Sequence, residues 1–308
     1  MRKYIEYASL NYKSKIMKNS KYYYSHVTSN STGKSNLLTK YIQQESPQSK
    51  NISRLILQNA LKNEEFTPWF QPVICAESRK LAGCEVLARW IRPGVGMMSP
   101  NTFIPMAEQT RLSVPLVTQL MRKTGTILKD MWHTLPKGFY VGFNVSAADI
   151  SAPEFRSNCL ILNDLMRGRG FNLLLEITER MPFSVSTESI AELKFLRDSG
   201  IYLALDDFGT GYSSFQLLQH CPVDYLKIDK SFIHQQGSDH ISTCIVDSII
   251  GLAHKLELKI IAEGIETQKQ ARVMTDKGIH YLQGFLYSPP VPGECFTSER
   301  FMYHVMHQ

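Results

Sequence analysis

Eight short apolar runs recur along this chain from residue 69 onward, each set off from the next by polar or amphipathic sequence. They are Trp69 to Cys75, Ala82 to Trp90, Phe139 to Val145, Leu173 to Thr178, Tyr202 to Asp206, Tyr225 to Ile228, Lys259 to Ala262 and Tyr281 to Phe285. Their apolar residues are continuous rather than alternating, the pattern of strands covered on both faces. Stretches with helical spacing lie between them, at about 101–132, 152–168, 186–199, 213–219, 237–255 and 267–277. Eight strands with intervening helices over about 250 residues predict an α/β fold, a (β/α)₈ TIM-like barrel. The link between the first two runs, 76–81, is too short for a helical crossover, so the first strand is expected to run antiparallel to the second. A doubly wound open sheet is the rival, but no glycine-rich phosphate fingerprint follows the early runs.

The charge is unevenly placed. Residues 1–50 hold nine Lys/Arg and two Asp/Glu, leaving 25 basic and 26 acidic residues for the other 258 of the 308. The near-neutral body argues against a nucleic-acid-binding domain. Residues 1–50 are rich in Ser, Asn, Lys and Tyr and poor in apolar periodicity, so they are expected to form a flexible basic extension. A contact of that extension with nucleic acid or a membrane surface is the minority expectation. The folded domain is expected over 51–308, beginning with a lead-in helix marked by Ile52, Leu55, Ile56, Ala60 and Leu61. No apolar run approaches the roughly 18 residues of a membrane span, and no apolar segment of a secretory leader follows Met1-Arg2-Lys3. The six cysteines are scattered without a CxxC pair, which fits free thiols in a reducing, cytoplasmic setting.

Polar residues cluster at the ends of the apolar runs. In order, the runs carry or precede Glu85, Asn144, Glu176, the pair Asp206-Asp207, Lys227 with Asp229, Glu263 with Glu266, and Gln283. In a barrel, the C-terminal ends of the strands converge on one mouth. Six of these carboxylates, Glu85, Glu176, Asp206, Asp207, Glu263 and Glu266, would raise each other's pKa values in one mouth unless cations neutralised them. An isolated acid in a strand is ordinarily a surface group or an ion-pair partner, but here that reading must hold independently at every position. Carboxylates with an amide oxygen, and neither His nor Cys, suit Mg²⁺ or Mn²⁺. Two such ions about 4 Å apart can hold an attacking water and a phosphate oxygen together, which points to phosphodiester hydrolysis.

The stretch Glu85-Val86-Leu87-Ala88-Arg89-Trp90 resembles the signature of EAL domains, the cyclic di-GMP phosphodiesterases. The resemblance runs from about Ser53 to Phe301. It includes Gln71-Pro72, Phe103-Ile104-Pro105-Met106-Ala107-Glu108, Asn144-Val145-Ser146, Glu176-Ile177-Thr178-Glu179 and the segment from Asp206 to Ser214. Lys227-Ile228-Asp229, Ala262 to Thr267 and Gln283-Gly284-Phe285 continue it. It implies Glu85, Asn144, Glu176 and Asp206 as ligands of one metal, with Asp206 and Asp207 serving a second. It implies Lys227 and Glu263 as residues that orient or activate water, and Gln283 as a neighbour of that water. Substrate contacts are implied for Gln71, Leu87 and Arg89, and for Glu85, Asn144, Asp206 and Gln283 at the metal side. Glu266 and Glu179 are implied to steady the glycine-rich loop after Asp207.

The implied reaction cleaves one phosphodiester of cyclic di-GMP to linear pGpG with two Mg²⁺ or Mn²⁺ ions. The alternative is a receptor that binds cyclic di-GMP without hydrolysis and signals through a protein partner. Family members often dimerise through helices near the glycine-rich loop, so a homodimer is a candidate assembly. Three positions depart from the family pattern: Val86 stands where Ala is usual, Arg111 where Gly is usual, and Ser288-Pro289-Pro290 where Ser-basic-Pro is usual. Val86 is expected to face away from the metals, and Arg111 to alter a helix start rather than the site.

Overall fold

The structure is a computed structural model and describes residues 52–178, 187–210, 214–235 and 240–306. The expected basic extension, Glu179 and residues 211–213 of the glycine-rich loop lie outside the described residues.

Helix α1 (Arg54–Lys62) is capped by Ser53, whose hydroxyl accepts from the Ile56 N–H. It leads into a long hairpin, β1 (Phe66–Cys75) and β2 (Leu81–Arg92), extended by the short β3 (Gly96–Met98). Helices α2 (Pro100–Gln109) and α3 (Ser113–Leu128) follow, then β4 (Tyr140–Val145), α4 (Ala147–Ile150) and α5 (Pro153–Arg167). Next come β5 (Asn172–Ile177), α6 (Thr187–Asp198), β6 (Tyr202–Phe208), α7 (Ser214–His220) and β7 (Tyr225–Ile228). After these stand α8 (Lys230–Gln235), α9 (His240–Lys255), β8 (Lys259–Ala262), α10 (Gln268–Asp276) and β9 (Tyr281–Gln283). The fold ends in β10 (Val291–Pro292), α11 (Gly293–Phe296) and α12 (Glu299–Met306).

The sheet closes on itself. Strands β2 and β4 to β9 pair in parallel in chain order, and β1 bridges β9 and β2, antiparallel to both. The eight-stranded barrel with a reversed first strand is therefore the observed architecture, with β3 and β10 added at its rims. No helix among the described residues is long and apolar enough to cross a membrane.

Two elements differ from the sequence expectation. The single helix expected at 101–132 is two, broken where Arg111 takes a left-handed φ of 58°. The Leu112 N–H donates to Ala107 O at 2.7 Å and the Arg111 N–H to Glu108 O at 3.2 Å, which closes a helix C-terminus. Arg111 thus ends a helix rather than starting one. The helix expected at 237–255 is preceded by α8, whose start is secured by Asp229: its carboxylate accepts from the Ser231 N–H at 2.9 Å.

Apolar packing occupies two layers. The larger lies between the sheet and the surrounding helices and holds Val86, which faces Phe70 and Phe143 across the strands. The second fills the barrel interior with Val73, Tyr140, Leu174, Ala204, Tyr225 and Ile261. Strand side chains alternate between faces, so the residue two positions on from an interior apolar one also points inward. Two positions after Leu174, Ala204, Tyr225, Ile261 and Tyr281 stand Glu176, Asp206, Lys227, Glu263 and Gln283. On the reversed β1 the polar residue comes two positions before its apolar partner, as Gln71 precedes Val73. The barrel is thus filled with aliphatic and tyrosine side chains at one end and with polar groups at the other.

Candidate active site

Lys227 sits at the centre of the polar end, 1% exposed. Its Nζ lies 2.5 Å from Glu176 Oε2, 2.6 Å from Glu263 Oε1, 2.8 Å from Asp206 Oδ1 and 3.8 Å from Glu85 Oε2. Burial works against the lysine's charge, but Asp206, Glu176, Glu263 and Glu85 outweigh it and hold its pKa well above the ordinary value. One ammonium cannot neutralise four carboxylates. Burial pushes Glu176 well above the usual carboxylate range; Lys227 opposes the shift, and Glu85 and Asp206 add to it. Burial raises Glu263 to about 8, again against Lys227 and with Asp206 and Glu85 adding.

Glu85 is clamped through both oxygens. Asn144 Nδ2 donates to Oε1 and Gln283 Nε2 to Oε2, each at 2.6 Å. Gln283 Nε2 also lies 3.2 Å from Gln71 Oε1, and Gln71 Nε2 donates to Ser288 O at 3.2 Å. The reversed first strand therefore supports the site, because its register sets Gln71 directly opposite Glu85. Gly142 makes room at the next level: a Cβ there would fall 1.9 Å from Glu176 Oε1.

The aspartate pair depends on an irregularity. Leu205 pairs with Leu226 and Phe208 with Ile228, three steps on β6 against two on β7. Asp207 takes up the extra residue with a left-handed φ of 51°. Oxygens of Asp206, Asp207 and Glu263 consequently lie within 4.8 Å of one another.

A cavity of about 600 Å³ opens over this cluster, within the range of small-molecule sites. Its wall includes Gln71, Glu85, Leu87, Arg89, Asn144, Asp206, Asp207, Glu263, Glu266 and Gln283, while Glu176 and Lys227 are not among its lining residues. Arg89 lies across the Trp69 ring, its guanidinium carbon 5.3 Å from the centroid, and its Nη1 donates to Ala88 O at 2.9 Å. Glu266 lies at the rim, its Oε1 3.5 Å from His234 Nε2. The roles of Gly142 and His234 carried no signal in the sequence, since a strand glycine or a rim histidine is ordinary until its neighbours are known.

The residues fit a hard divalent cation. Their donors are carboxylate oxygens, their charge exceeds what Lys227 can balance, and Gln283 Oε1 is buried with no hydrogen-bond donor among the described residues. Glu263, expected to act on water, also belongs to the three-carboxylate cluster that could hold such an ion.

Residues 54–290 match the family model described as the EAL domain. Over 243 residues the chain is 50% identical to the cyclic di-GMP phosphodiesterase PdeL of Escherichia coli (strain K12), covering 79% of this chain and 67% of that protein. It is 42% identical over 236 residues to the probable cyclic di-GMP phosphodiesterase PdeG of the same organism, covering 77% of this chain and 46% of that one. The chain thus spans less than half of PdeG. Among solved structures, the EAL enzyme Bd1971 in its cAMP- and cyclic-di-GMP-bound form gives a TM-score of 0.72 at 32% identity, covering 80% of this chain and 67% of that one. The PaMucR phosphodiesterase in complex with c-di-GMP gives 0.68 at 31% identity, covering 77% and 96%.

Proposed function

Because this chain belongs to the EAL domain family, we propose that it hydrolyses one phosphodiester bond of cyclic di-GMP to linear pGpG. The observation that carries the reading is the set of four carboxylates gathered on Lys227 beneath an open cavity. Two Mg²⁺ or Mn²⁺ ions are assigned to this set, held by Glu85, Asn144, Glu176, Asp206, Asp207 and Glu263. Such ions, when bound, lower the pKa of a water and offset phosphoryl charge.

The chain's own groups divide the remaining work. Glu263, held by Lys227 beside Asp206 and on the cavity wall, is suited to take a proton from the attacking water at a carboxylate oxygen. Lys227 keeps its proton and fixes Glu263 and Asp206 in place. Gln283 steadies Glu85 through Nε2, which leaves Oε1 to accept a hydrogen from water. Arg89 presents a guanidinium to the cavity, where a substrate phosphate can meet it, with Gln71 and Leu87 on the same wall. Glu266 and Glu179 are assigned to steadying the glycine-rich loop on the family resemblance alone.

Purified protein with Mg²⁺ or Mn²⁺ and cyclic di-GMP should form pGpG, followed by chromatography of the nucleotides. Glu85→Ala should abolish turnover. Tight binding without product in either metal would overturn hydrolysis in favour of a receptor.

A further inference from the structure

Asp149 is a buried acid that the proposed chemistry does not use. It lies on α4, 2% exposed, and it belongs to the wall of the same cavity. Its Oδ2 accepts from the Ser146 N–H and from the Ser146 hydroxyl, both at 2.8 Å, completing a capping box. One oxygen therefore accounts for the structural role. The other, Oδ1, is buried and has no hydrogen-bond donor among the described residues. A buried carboxylate oxygen without a donor is costly, so the group is matched to an N–H or O–H that arrives from elsewhere.

The cavity wall also carries Leu116, Val117 and Leu120. An apolar patch in a cavity that also holds a buried, unpaired acceptor suits a flat heterocycle that presents donors on its edge. Guanine does so through N1–H and its 2-amino group, whereas adenine presents an acceptor at N1. We infer that Asp149 is a specificity-determining residue, whose free carboxylate oxygen accepts from the N1–H and 2-amino edge of one guanine of the substrate. The assignment rests on the reading of the ligand as cyclic di-GMP.

The test compares cyclic di-GMP with cyclic di-IMP, which lacks only the 2-amino groups, on the full chain with Mg²⁺. Wild-type protein should favour the guanine ligand in KM and Kd by about tenfold or more, since the site loses a bonded donor on the analogue. In Asp149→Asn the amide oxygen can still accept from Ser146, while an amide NH2, a donor, replaces the free oxygen. This variant should lose about tenfold in KM for cyclic di-GMP, keep most of kcat, and bring the two ligands to within about threefold of each other. Ser146→Ala serves as the structural control: it weakens the cap but leaves the Asp149 oxygen, so the ligand preference should persist even as Tm falls. An unchanged guanine preference in Asp149→Asn would overturn the assignment. Equal loss of preference in Ser146→Ala would also overturn it, in favour of a purely structural role. Failure of the wild-type protein to bind cyclic di-GMP would overturn the function itself, and is distinguishable because it shows before any variant is made.

Discussion

Asp206 and Asp207 are consecutive residues of one strand, yet their carboxylates reach the same point, each within 4.8 Å of the other and of Glu263. In a regular strand, neighbours face opposite sides of the sheet. Here the extra residue in β6 and the left-handed Asp207 turn the second acid back toward the mouth. Asp tolerates that backbone region better than most residues. Asp207→Asn should therefore keep the fold, because Asn tolerates it too, while lowering divalent-cation affinity by about 10- to 100-fold through loss of a charged donor. Calorimetric titration with Mg²⁺ checks this; unchanged affinity would remove Asp207 from the cation site.

Gly142 leaves open the space that Glu176 Oε1 occupies. A methyl group there would collide with Glu176 Oε1, which is itself held by Lys227. Gly142→Ala should displace that carboxylate and cut kcat by about 100-fold or more, since ångström-scale misplacement costs that much. Circular dichroism should still report the barrel. Full activity in a folded variant would show that the glutamate can shift without loss.

Stability without metal should fall as pH rises. The unfolded chain releases the Glu263 proton near the ordinary value of 4.5, while the folded protein holds it to about 8. Between those values the native state binds more protons, so its stability declines with pH across that window. Glu176, raised for the same reason of burial, acts in the same direction. A cation that displaces the protons should then raise Tm more at about pH 8.5 than at about pH 6. Thermal melts with and without Mg²⁺ measure it, and an equal rise at both would count against proton–cation competition.

Arg111 carries strain unrelated to chemistry. Its φ of 58° closes α2, where a side chain costs about 1 kcal/mol that glycine avoids. Arg111→Gly should raise stability by about that amount, less the entropy glycine gains in the unfolded chain. Denaturant unfolding tests it, with activity as the check that the site is untouched. A drop in stability would mean that the arginine side chain contributes more than its backbone costs.

Much of the site was legible because strand periodicity and topology carry it. Glu176, Asp206, Lys227, Glu263 and Gln283 each stand two positions after an interior apolar residue, and a parallel barrel sends all such positions to one mouth. The short link at 76–81 likewise required the first strand to reverse, as it does. The helical spacing of 101–132 does not show the break at Arg111; only the glycine usual at that position in the family points to a helix boundary there. Helix α8 was not legible: it is only six residues long and depends on the Asp229 cap.

The amino-acid sequence by itself determined the order of strands, the reversal of the first and the acidic character of the mouth, since these follow from local periodicity and loop length. Only the tertiary structure decided that Lys227 bonds carboxylates from several strands, that Gln71 supports Gln283, and that Gly142 yields its space to Glu176. It also decided that Asp206 and Asp207 turn to one side. Those relations join residues far apart in the chain or depend on a single backbone angle. They exist only once the barrel has closed and each side chain must find its partners or remain buried without them.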